Sequence, residues 1–275
     1  MPSIRADDGV RLEYTDHGDP AGRPVVLLAG FKAAATSWLY QVPALERAGY
    51  RVLTVDLRGH GGSERPASGV DLARRGQDVR DFLDALDLRG AVLVGGSMGA
   101  STIWSYLSQE GSDRVAAVVS VDQTPKMMNT PDWPHGFYGY APDNADTYFA
   151  DGIPDTGRGT PMLRRGRRLI RLLRAMKGAE RKLTPGELSL LNDHARADWR
   201  AAIAGTDVPV LFVAGAESEF WPSSHAAAAA ALAPRGESAM IARDGHAANI
   251  EQPQAFNAGL LAFLARTAPA GRAKE

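Results

Sequence analysis

Short runs of consecutive apolar residues recur along the chain, at residues 25–29 (VVLLA), 52–55 (VLTV), 91–94 (AVLV), 115–121 (VAAVVSV) and 208–213 (VPVLFV). Their length and valine content suit strands buried on both faces of a parallel sheet. Helical patterns separate them, at residues 38–47, 72–86, 97–109 and 253–266. Strand alternating with helix predicts right-handed crossovers and a mostly parallel, doubly wound α/β sheet. Residues 4–14 read as a hairpin turning at Asp8-Gly9, and 226–232 as a short alanine-rich helical segment. The alternation stops after Val121. Residues 123–199 hold no strong strand. Their first half is broken by Pro131, Pro134, Pro142, Pro154 and Pro161, and their second half offers helices at 163–176 and 185–197. A long excursion between two core strands is usually functional. The expected organisation is therefore a core made of residues 1–122 and 200–275, with residues 123–199 inserted as a lid.

Composition narrows the classes of function. The chain has 275 residues, 44% of them hydrophobic, enough for one large buried core. A net charge of −1 gives no footprint for nucleic acid, a membrane surface or a polyanion. With no cysteine there is no disulfide framework, thiolate metal site or cysteine nucleophile, although this leaves the compartment open. The opening MPSIRADDGV lacks the apolar run of a secretory signal, and no apolar stretch has the length of a bilayer span. These features predict a cytoplasmic protein with a frayed tail at APAGRAKE.

Two segments carry chemistry. Gly95-Gly96-Ser97-Met98-Gly99 fits G-x-S-x-G, with a strand predicted before it and a helix after it. So sharp a turn strains the central residue and needs small neighbours where backbone meets backbone. It would present the Ser97 hydroxyl at the C-terminal edge of the sheet as a nucleophile. Asp244-Gly245-His246 follows a short strand candidate, Met240-Ile241-Ala242, and precedes the last helix. His246 would reach the same edge, where an imidazole titrating near neutrality can take the serine proton.

With these motifs the sequence resembles the α/β-hydrolase superfamily from end to end. Asp56-Leu57-Arg58-Gly59-His60-Gly61-Gly62-Ser63 is similar to a loop of its esterase and cofactor-free haloperoxidase-like branch, where it is mainly structural. The resemblance implies an acyl-enzyme mechanism with no cofactor. It also implies an oxyanion hole built from the backbone N–H groups of Met98 and Phe31. Family members usually have His-Gly before the second donor; this chain has Ala29-Gly30-Phe31-Lys32, and a backbone donor survives that change. The triad acid departs from the usual pattern. Alignment on Gly215 and Pro222 puts Ser218 where an aspartate is expected. Asp122, at the end of the strand before the insertion, is the preferred substitute, with Glu217 and Glu219 as alternatives. A bland reading of Asp122 is a turn cap beside Thr124 and Pro125.

Six arginines, 164, 165, 167, 168, 171 and 174, read as a solvated basic face on a lid helix. The aromatics Trp133, Phe137, Tyr138, Tyr140, Tyr148 and Phe149 suit either an acyl pocket or a small core of the lid; Trp133 and Tyr138 are the pocket candidates. The histidines show no metal-ligand spacing, and no phosphate-binding glycine loop is present. The expected activity is hydrolysis of a small or medium carboxylic ester or lactone. A perhydrolase, a carbon–carbon bond hydrolase and a small-ligand receptor that does not turn over remain open, because one triad serves them all. The expected partner is a small ester-like molecule, with no nucleic acid and no membrane; the sequence does not address oligomeric state.

Overall fold

The computed structural model describes residues 1–66, 70–175 and 182–268; the end of the 163–176 helix candidate and the tail from 269 onward lie outside them. Eight strands among these residues form one sheet: β1 (Ser3–Arg5), β2 (Arg11–His17), β3 (Pro24–Leu28), β4 (Arg51–Val55), β5 (Ala91–Gly96), β6 (Val115–Val121), β7 (Val210–Gly215) and β8 (Gly236–Ile241). Their spatial order is β1-β2-β4-β3-β5-β6-β7-β8, antiparallel up to β4 and parallel from there on. The N-terminal hairpin turns at Gly9, whose φ of 87° only glycine adopts without strain.

The helices are α1 (Val42–Arg47), α2 (Leu72–Ala85), α3 (Met98–Glu110), α4 (Arg167–Ala175), α5 (Pro185–Arg196), α6 (Arg200–Ala204), α7 (Ser224–Ala230), α8 (Ala248–Glu251) and α9 (Pro253–Arg266). Alternate residues of each central strand feed two cores, as a period of two requires. Val26, Leu28, Leu93, Val118 and Phe212 pack against Val79 and Phe82 of α2 and Ile103 and Trp104 of α3. Val25, Leu27, Val92, Val94 and Val119 face Leu45 of α1 and Phe256, Leu260 and Phe263 of α9. Full burial of each such side chain stabilises by about 1.5–3 kcal/mol. No helix of the described residues is long and apolar enough to cross a membrane.

Some element boundaries differ from expectation. Residues 38–47 are not one helix: a 3-10 turn (Ala35–Trp38) precedes α1, which starts at Val42, and Pro43 sits in its first turn. Proline has no N–H to donate, so it is tolerated where that donor has no intrahelical partner anyway. The 163–176 candidate is likewise split by Gly166 at φ 55°, leaving a 3-10 turn (Met162–Arg164) ahead of α4.

Strand order reverses between β3 and its neighbours β4 and β5. The loops leaving β3 and β5 therefore diverge and open a crevice beyond the C-terminal strand ends, where open α/β sheets bind ligands. Between β6 and β7 the chain leaves the sheet and builds a third cluster from Met127, Phe137, Tyr140, Phe149, Leu190 and Leu191, seated on Leu72, Met98 and Trp221.

Candidate active site

Ser97 occupies the turn between β5 and α3 with φ 50° and ψ −127°. A β-carbon on Gly95 would lie 2.4 Å from the Ala100 nitrogen, and one on Gly99 would lie 2.3 Å from the Leu28 carbonyl oxygen. The strand–turn–helix unit can close this tightly against β3 only with glycine at both positions. Five non-glycine residues among those described have positive φ, and four of them, Lys32, Ser97, Asp122 and Arg243, follow the C-terminal ends of β3, β5, β6 and β8. Backbone strain is thus concentrated at one edge of the sheet, as it is at functional sites elsewhere.

Asp122 and His246 meet there, 124 residues apart in sequence. The Nδ1 of His246 lies 2.7 Å from Oδ2 of Asp122. A carboxylate can only accept, so Nδ1 is the donor of this pair. Asp122 is fully buried and accepts three further bonds: from the Gly215 N–H at 2.9 Å, the Ser218 hydroxyl at 2.7 Å and Nε2 of His225 at 3.4 Å. Burial works against its charge. The hydrogen bonds and positive charge of His225 and His246 outweigh that and hold its pKa at about 2. The turn-cap reading of Asp122 is corrected here: its carboxylate faces β7 and the histidines, and Thr124 instead bonds the carbonyl of Lys126.

The imidazole of His246 is fixed by aromatic walls, with Phe220 at 4.4 Å and Trp221 at 5.3 Å between ring centres. Ser97 and His246 both line a cavity of about 130 Å³ with Phe31, Trp38, Val121 and Ile250. No hydrogen bond joins their side chains. Met98 opens α3 directly after Ser97, and Phe31 lines the same cavity as Ser97.

The other two acid candidates lie elsewhere. Glu217 accepts from the Thr160 hydroxyl and pairs with Arg168 at 3.1 Å. Glu219 pairs with Arg165 and accepts the backbone N–H of His246 at 2.8 Å, and it does not contact the ring. Trp133 and Tyr138, expected at the substrate pocket, do not line the cavity beside Ser97. Trp133 is buried, its indole N–H on Thr124 and its face under Arg200. Tyr138 donates its amide to Phe220 and carries Arg158 on its ring. The solvated arginine face also needs correction: Arg165 is buried, and Arg165, Arg168 and Arg171 all bond to the segment around His246. Arg58 and His60 are structural as expected. Arg58 is buried on Asp78 at 2.6 Å, and burial followed by the charge of Arg75 pushes the pKa of His60 down to about 3.

His225 and the hydrogen-bonding role of Ser218 were missed in the sequence. The signal available was slight: a serine and a histidine on a segment already suspected of carrying an acid.

A family model described as alpha/beta hydrolase fold matches residues 23–253. The chain belongs to the α/β-hydrolase family. Among curated α/β-hydrolase relatives, a non-heme chloroperoxidase of Streptomyces lividans is 38% identical over 128 residues, 46% of each chain. The aligned stretch thus spans about half the length of such relatives. Among solved structures, a bromoperoxidase from Bacillus anthracis has a TM-score of 0.79 at 29% identity, covering 96% of this chain and 100% of its own. The esterase RhEst1 from Rhodococcus has a TM-score of 0.78 at 25% identity, covering 97% and 99%. The α/β hydrolases it resembles here carry the names of haloperoxidases and an esterase.

Proposed function

We propose that this α/β hydrolase cleaves small carboxylic esters or lactones through an acyl-enzyme at Ser97. The observation that carries this reading is the 2.7 Å bond from His246 to the buried Asp122, beside a strained Ser97 that lines the same cavity. His246 Nε2 takes the proton from Ser97 Oγ as the oxygen attacks the carbonyl carbon. Asp122 holds the ring in the right tautomer and stabilises the imidazolium. The amides of Phe31 and Met98 bind the oxyanion, and His246 returns its proton to the leaving alkoxide. Water, activated by the same base, then releases the acid. A cavity of about 130 Å³ with apolar walls supports a short acyl group. In this reading residues 123–199 act as a lid on a core of residues 1–122 and 200–275.

A second reading, perhydrolysis, draws support from the names of the chloroperoxidase and bromoperoxidase relatives. There hydrogen peroxide replaces water at the acyl-enzyme, giving a peracid. One experiment covers both readings. A phosphonate probe should label Ser97, and a p-nitrophenyl ester should give a burst followed by steady turnover, each lost in Ser97→Ala. Full turnover in a clean Ser97→Ala preparation would refute the assignment. Trapping of peracid in the presence of peroxide, at a rate above that of acid release, would favour the second reading.

A further inference from the structure

The segment ahead of α4 reaches across to the loop that carries His246. Arg165 is 7% exposed, and its guanidinium makes three separate attachments. Nε donates to the Thr160 carbonyl at 2.9 Å, Nη1 to Oε1 of Glu251 at 2.7 Å, and Nη2 pairs with Glu219. The second oxygen of Glu219 accepts the backbone N–H of His246 at 2.8 Å. Glu251, with no exposure, ends α8 directly downstream of that loop. A side chain at Gly245 would run into Glu251, Arg165 and Glu219 together, so the backbone entering His246 threads between them.

We propose that Arg165 is a positioning residue that locks the stretch between β6 and β7 onto the His246 loop, through Glu219 on one side and Glu251 on the other. The proposal rests on the reading of His246 as the base. A guanidinium is the group that can grip two carboxylates and a carbonyl at once, because its donors form a rigid planar fork. Without it, Glu219 loses its ion pair and the buried Glu251 keeps Arg168 at 3.4 Å but loses the shorter of its two pairs, a costly change at a buried site. Glu219 then loses its anchor, and with it the fixed acceptor for the His246 amide. Arg165 does not itself line the cavity beside Ser97, so its loss acts on the site through the His246 loop and not through a direct contact with substrate.

The test uses the full chain and three variants, Arg165→Met, Arg165→Lys and the double variant Arg165→Met with Glu251→Gln. Two readouts are taken: kcat and KM on p-nitrophenyl acetate, and amide hydrogen exchange of residues 243–251. Arg165→Met should lower kcat by about 10–100-fold while KM stays within about twofold, and exchange in 243–251 should accelerate. Arg165→Lys should recover part of kcat. The double variant removes the part of the buried Glu251 charge that Arg165 no longer offsets, so it should regain melting temperature without regaining kcat. Wild-type kcat and exchange in Arg165→Met would overturn the proposal. So would full return of kcat in the double variant, which would reduce Arg165 to a charge balance. If the wild-type chain hydrolyses no ester, the hydrolase reading fails by itself. Exchange in Arg165→Met still decides the lock: acceleration supports it and unchanged protection overturns it.

Discussion

The carboxylate of Asp122 is out of contact with water yet accepts from four donors, and its lowered pKa of about 2 follows from that. Around neutral pH it is therefore an anion able to stabilise an imidazolium. Asp122→Asn keeps the shape but puts an amide where His246 Nδ1–H needs an acceptor, so the ring can settle in the wrong tautomer. Turnover should fall by about 10⁴-fold, as loss of a triad acid does elsewhere. Glu217→Gln should stay within about threefold of wild type, because that side chain meets Thr160 and Arg168 and not the imidazole. Steady-state kinetics on one activated ester compares the two, and the reverse ranking would return the acid to the loop after β7. The same residues mark how far the sequence could be read. Ser97 and His246 were legible because a sharp turn demands glycines at fixed spacing and a base follows late in the chain. Asp122 could be inferred only from a vacancy, the serine at position 218. His225 left only a slight mark, since a buried histidine on a short helix looks like any other.

At the scale of elements, the stretch between β6 and β7 is held by its own core and by charged clips at two sides. Phe137 packs on Phe149 at 5.1 Å and on Phe220 at 5.4 Å, and Phe220 in turn lies against His246. Lys32, next to Phe31, bonds the Lys182 carbonyl at 2.6 Å and Glu187 of α5 at 3.1 Å. Trp133 belongs to this supporting structure. Trp133→Ala should cost about 3–5 kcal/mol of stability, typical of a buried aromatic, and leave the acyl-chain preference unchanged. Denaturant melts paired with a p-nitrophenyl ester series check both halves; a shifted preference at unchanged stability would return Trp133 to the substrate pocket. Sequence pattern fixed the strands here better than the helices. Strand runs are dense in buried valine, whereas Pro43 and Gly166 interrupt helical periodicity that otherwise continues across them.

For the whole molecule, the pH dependence of stability should bear the mark of Asp244. Its side chain has no exposure, and neither carboxylate oxygen has a partner. Burial first, then the nearby charges of Glu251 and Asp122, push its pKa up to about 9. The folded chain thus keeps this proton through neutral pH, while the unfolded chain releases it near 3.8, the ordinary value for an aspartate. A raised carboxylate pKa means that folding binds a proton, so stability falls as pH rises across the window from about 4 to about 9. Asp244→Asn cannot ionise and should flatten that slope, gaining melting temperature relative to wild type at pH 8 more than at pH 4. Parallel melting curves at the two pH values measure it, and identical slopes would show that Asp244 is ionised in the fold.

The chain by itself determined the α/β alternation, the Ser97 turn and the late histidine, because each depends on a local rule: burial on both strand faces, close backbone approach, or residue chemistry at a strand end. Only the tertiary structure decided which carboxylate meets His246, where the six arginines point and whether the aromatics of 123–199 form a core or a pocket. Those outcomes depend on distances between segments far apart in sequence. Asp122 and His246 are 124 residues apart, and Arg165 and Glu251 are 86 apart. A local pattern reports how a segment folds on itself, and these pairings are set by how β6, β7 and α4 come to lie beside the loop of His246.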